Sequence, residues 1–122
     1  MAVVRTRALV TAVTLGTVVG CATSRYAAPV DRLDVAESAA RDASESGAEQ
    51  DPTARFHLSL AVRQIALAKE LMRSGENERA AWVLTRAAND AQVALALARE
   101  NVTRAAAQEA AERVEALQRG SP

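Results

Sequence analysis

One histidine and one cysteine occur among the 122 residues, so general bases, nucleophiles and soft metal ligands are scarce from the outset. To act as a general base, His57 would need a nucleophile and an orienting acid within hydrogen-bond reach. At helical spacing the nearest candidates, Ser59 and Asp51, point elsewhere. No second histidine or cysteine follows in the domain to complete a tetrahedral metal site. Arg86 and Asp90 stand four apart, which allows a surface ion pair worth about 0.3–0.5 kcal/mol, with the basic residue first, the weaker order. The sequence has no glycine-rich phosphate loop, paired-carboxylate motif or Ser/His/Asp order. It carries no catalytic constellation, reads as not an enzyme, and needs neither a metal nor another cofactor.

Charge narrows the partners. Fifteen basic residues balance fifteen acidic ones. Arginines and glutamates are interspersed, which leaves no basic patch for nucleic acid. Apolar residues make up 49% of the chain, and alanine supplies more of them than Leu, Ile, Phe and Met together. A core of that kind comes from helices approaching closely instead of from bulky side chains, and the expected fold is all-α.

The amino terminus reads as a processing signal. Arg5 and Arg7 precede an uncharged apolar run from Ala8 to Val19, the n-region and h-region of a secretory leader. That run is shorter than the about 20 apolar residues that span a bilayer. At its end Val18, Val19, Gly20 and Cys21 resemble the bacterial lipobox. The resemblance implies cleavage between Gly20 and Cys21, a diacylglycerol on the Cys21 thiol and acylation of the freed amine. Val18 stands where leucine is usual. Ala22 follows the cysteine where an aspartate would mark inner-membrane retention, so the resemblance implies the periplasmic face of the outer membrane. The competing reading makes Cys21 an ordinary thiol beside a conventional cleavage site. Division of the chain follows: residues 1–20 a lipoprotein signal peptide, 21–29 a lipidated tether, and 30–122 an alanine-rich helical domain.

Three helices are expected in that domain, packed as a small antiparallel bundle with a long C-terminal member. The first, from Asp31 to about Ser46, carries Leu33, Ala36, Ala40 and Ala43 at helical spacing and stops at Gly47. Val30, Leu33 and Val35 are its expected anchors, and its carboxyl half the part expected to fray. Asp51 and Pro52 form a strong start signal for the second, which should run to about Arg73. Phe56, Leu60, Leu67 and Leu71 form one stripe on it, and Leu58, Ile65 and Met72 another, so two neighbours are expected. After Gly75 the pattern continues without Gly or Pro to Gly120, about 42 residues or about 63 Å at 1.5 Å per residue. Ala80, Leu84, Ala87, Ala91, Ala94, Leu95, Ala98, Val102 and Ala105 share one face of this helix, a small-residue seam. The phase drifts beyond Ala106, and a kink near Asn101 is allowed. Val114 and Leu117 then either project with a solvated or partner-facing end, or fold back on the first helix.

The stretch carrying Leu58, Ala61, Gln64, Ala68, Leu71, Gly75, Arg79, Ala80, Leu84, Arg86, Ala87, Asp90, Ala91, Ala94, Leu97 and Ala98 resembles the helical lipoprotein family called domain of unknown function 4398. That resemblance implies an envelope setting and no known catalysis. The helix, glycine turn, helix unit also looks like one tetratricopeptide hairpin, but one is too few for a stacked array. Trp82, Val93 and Leu97 lie on a face about 140° from the alanine seam. Either the first helix covers them, or they are a partner surface with Trp82 as its anchor. The expected role is that of a noncatalytic, lipid-anchored envelope protein, bound to the membrane through its N-terminal lipid and engaging an envelope protein or a second copy of itself. A periplasmic module binding a small molecule or lipid is the other reading.

Overall fold

The computed structural model describes residues 26–120, all of whose regular structure is helical. Helix α1 spans Val30–Glu45, α2 Pro52–Arg73 and α3 Asn77–Gly120, with one 3₁₀ turn at Ala48–Gln50. The start and stop signals explain these limits. Asp51 Oδ1 accepts the Ala54 N–H at 2.7 Å with Pro52 in the first turn, where a missing donor costs nothing. At the other end of α2 the Gly75 N–H donates to the Met72 carbonyl at 3.1 Å and the Glu76 N–H to the Leu71 carbonyl at 2.8 Å. Gly75 makes that double closure possible by taking φ +80°, a conformation a Cβ would strain.

Chain direction runs up, down and up. The short turn after Arg73 makes α2 and α3 antiparallel neighbours, and α2 packs most extensively on α3. Helix α1 lies parallel to α3. Near the start of both, Arg32 Nη1 donates to Thr85 Oγ1 at 3.0 Å, and near the end of α1, Glu45 and Ser46 border a groove shared with Arg99 and Val102. Across the α1–α2 face, Lys69 Nζ pairs with Glu37 Oε1 at 2.5 Å.

Alanine builds the core. Ala36, Ala43, Ala54, Ala61, Ala68, Ala80, Ala87, Ala91 and Ala94 are fully buried, joined by Leu58, Ile65, Leu71, Leu84 and Leu95. Leu84 is the largest side chain wholly removed from solvent. The expected seam of α3 is therefore present from Ala80 to Ala98, but it ends there: Val102 and Ala105 are exposed. Two expectations for the other helices are corrected. In α1, Val30 and Val35 face water while Ala36, Ala39, Ala40 and Ala43 hold the helix to its neighbours, with Leu33 packed at the margin. Helix α2 has its two expected neighbours and turns Leu58, Ala61, Ile65 and Ala68 inward, but its first stripe splits: Leu71 is buried, whereas Phe56, 55% exposed, and Leu67 lie outside. Close helix approach leaves no depth for the larger side chains, so the small-residue face wins the interior.

At 44 residues, α3 reaches about 66 Å, against about 33 Å for the 22 residues of α2. The helix runs unbroken through Asn101, and every described residue from Val102 onward is exposed. Leu117, 74% exposed, and Val114 do not return to α1. This end projects.

Opposite substitutions in the seam test this packing. Ala91→Leu forces a branched side chain into a helix contact built for a methyl group and should destabilise the bundle by about 1–3 kcal/mol. Leu84→Ala should cost about 2–5 kcal/mol through the cavity it leaves. Denaturant melts followed by circular dichroism check both, with Ala107→Leu on the projecting segment as a control expected to be near neutral.

Candidate functional site

Among the described residues, a polar cluster joining the middle of α2 to α3 centres on Asp90. His57 Nδ1 lies 3.0 Å from Asp90 Oδ1, and Gln64 Nε2 donates to Asp90 Oδ2 at 2.8 Å. Seven residues separate His57 from Gln64, so both fall on the margin of α2 that faces α3. Asp90 is thus not the partner of Arg86, as their spacing suggested; Arg86 is exposed on the outer side of α3. Sequence reasoning missed this cluster. Its signal was the repetition of polar residues at the edge of an otherwise apolar face.

Chemically the cluster positions helices. An imidazole beside a carboxylate is half of a proton-relay arrangement, but Ser59 Oγ turns away and donates to the Phe56 carbonyl at 2.7 Å. No group of three or more His, Cys, Asp or Glu side chains able to hold a metal occurs among the described residues. A seam of near-identical methyl groups specifies register poorly, because a slip of one turn presents much the same surface. One carboxylate held by two donors from the facing helix selects a single register.

The two ends of the bundle differ. At the end where α3 begins, Asn77 Nδ2 donates to the Tyr26 carbonyl at 2.8 Å, which fixes where the chain enters the domain. At the opposite end, Ser46, Gly47, Gln50 and Asp51 border an open groove of about 570 Å³ whose other wall is Ala98, Asn101, Val102 and Ala105. Asp51 and Glu109 are the charged groups that line that groove. The Ala54 N–H holds the Asp51 carboxyl below the usual range against the opposing effect of desolvation, helped by the Asn101 side chain, the Thr53 N–H and the Arg104 guanidinium. The cap of α2 is thereby coupled to the point where α3 leaves the bundle.

The expected sites fall as follows. Gly20 and Cys21 lie outside the described residues. Trp82 is 68% exposed and Val93 41%, so α1 does not cover them, while Leu97 is partly buried against the core. Trp82 and Val93 thus stand exposed on the expected face, with Leu97 at its margin. No described helix is long and apolar enough to cross a membrane. No protein-family model, curated protein or solved structure matches the chain.

Asp51 generates a pH prediction. Its carboxyl is held lower in the folded state than in the unfolded chain, so its contribution is complete above the unfolded value near pH 4 and fades as pH falls through the folded value. Asp51→Asn keeps an acceptor without the charge. At neutral pH the variant should melt at a lower temperature than the wild type, and this difference should shrink in acid, below about pH 4. Thermal melts of both proteins across the acid range check it.

Proposed function

We propose that this chain is a noncatalytic, lipid-anchored protein of the bacterial cell envelope with a structural or protein-interaction role. The observation that carries the reading is the order of a basic n-region, an apolar run and Val18, Val19, Gly20 and Cys21. Several acyl chains on one terminus make membrane attachment nearly permanent, since each buried methylene contributes about 0.8 kcal/mol. The resemblance of the Leu58 to Ala98 stretch to a helical lipoprotein family supports the same setting, and Ala22 after the cysteine favours the periplasmic face of the outer membrane.

The bundle's geometry suits such a role. Tyr26 enters beside Asn77, at the end where α3 starts, and the solvated turns of α3 leave from the opposite end. A tether on Cys21 would hold the first end near the membrane and present the second to whatever lies beyond it. The projecting turns carry ion pairs between Glu100 and Arg104, Glu109 and Arg113, and Glu115 and Arg119. In each the acid precedes the base by four residues, the order that best supports a helix without tertiary contacts.

Intact mass and fractionation test the anchor. Mature wild-type protein should begin at Cys21, carry the mass of the acyl groups and sediment with membranes. Cys21→Ser should accumulate as the full-length precursor without them. Mature protein with a free Cys21 thiol, or no cleavage before it, would refute the reading.

A further inference from the structure

We infer that Tyr26, Val30 and Trp82 form an interfacial footing that seats the tethered end of the bundle in the lipid headgroup layer, with the far end of α3 directed away from the bilayer. The inference rests on the anchor proposed for Cys21 and adds to it a surface and an orientation.

Chain length brings this end to the lipid. Tyr26 follows Cys21 by five residues, which even fully extended reach only about 18 Å. The hydrogen bond from Asn77 Nδ2 to the Tyr26 carbonyl places that entry point at the start of α3. Whatever faces the membrane must therefore belong to this end of the domain.

Side chains suited to an interface gather there. The protein has one Tyr, one Trp and one Phe, and the two with a polar tip, Tyr26 and Trp82, are both exposed at this end. Amphipathic rings of this kind settle where hydrocarbon meets headgroups. Trp82 lies five residues into α3, about 7.5 Å from its start, and Cα–Cβ bonds tilt toward a helix N-terminus, so its indole leans toward the tethered end. Val30, also exposed, is the first residue of α1, which begins at the same end. No described helix is a membrane span, so the contact is with the interface and not an insertion. Arg73 pairs with Glu70 and Arg79 with Glu76, while the exposed Asp31, Asp34 and Glu78 have no basic partner among the described residues, so this end offers no basic patch to draw anionic lipid. Seating should therefore not require anionic lipid. Leu117, forty residues beyond Asn77 on the same helix, is about 60 Å away.

Trp82 is the only tryptophan, which makes its fluorescence specific to this surface. The experiment uses the full-length acylated protein reconstituted into phosphatidylcholine vesicles, with and without lipid spin-labelled near the glycerol, and with Cys21 acylation verified by intact mass on the same sample. Trp82 should lose most of its emission to the labelled lipid and resist aqueous iodide. A double variant, Trp82→Phe with Leu117→Trp, should behave oppositely, keeping its emission with labelled lipid and losing it to iodide; both positions are exposed, and helicity by circular dichroism verifies the fold. Acylated, vesicle-bound protein whose Trp82 ignores labelled lipid and is quenched by iodide overturns the footing while the anchor stands. Shielding of Trp82 from both quenchers also overturns it, in favour of a second copy covering the ring. Equal lipid quenching at positions 82 and 117 overturns the orientation, because the bundle would then lie flat. An unacylated Cys21 overturns the anchor and the footing together.

Discussion

Contact between alanine faces is the constraint on which the rest of this structure depends. Alanine is the best intrinsic helix former and also the smallest side chain with a Cβ, so one residue type both stiffens each helix and lets its neighbours approach closely. The seam of α3 from Ala80 to Ala98 packs against α2, which buries Ala54, Ala61 and Ala68, and against α1, which buries Ala36, Ala40 and Ala43. Small side chains bury little area each, which keeps the hydrophobic gain per residue low and makes the few leucines and the single isoleucine inside disproportionately important. It also expels large residues. Phe56, Leu67 and Trp82 stand outside because a close interface has no room for them.

Methyl faces specify little about register, and the polar contacts supply it. Asp90 receives Gln64 on one oxygen and lies against His57 on the other, while Arg32 ties α1 to Thr85. Each joins two helices at a single level. The glycine closure at Gly75 sets where α2 turns into α3, and the Asp51 cap sets where α2 begins. With α2 closed at both ends and α1 stopped at Glu45, no other described element covers α3 beyond Asn101.

Boundaries were legible in the sequence because their signals are local. Asp51 with Pro52, Gly47 and Gly75 act on their own backbone and need no tertiary information. The seam of α3 was legible too, since its small residues recur at helical spacing with few large competitors. Orientation of α2 was not. Two apolar stripes lie on that helix and both read as buried; that Leu71 goes inward while Phe56 and Leu67 stay outside depends on where α1 and α3 sit, which spacing within α2 does not contain. Arg86 and Asp90 show the same limit, because a pairing rule within one helix cannot see His57 and Gln64 on another. The turns after Ala106 left projection and fold-back both open, and the exposed Val114 and Leu117 decide for projection.

If contact with alanine faces holds α3, its amides should divide sharply along one continuous helix. Hydrogen exchange of the full-length protein, resolved by residue, measures this directly. Amides from Leu84 to Ala98 should be the most protected in α3, and protection should fall from Val102 onward to that of a helix without neighbours, which is marginal at such length. Protection at Val114 and Leu117 equal to that at Ala91, or a fall beginning inside the seam, would contradict the account.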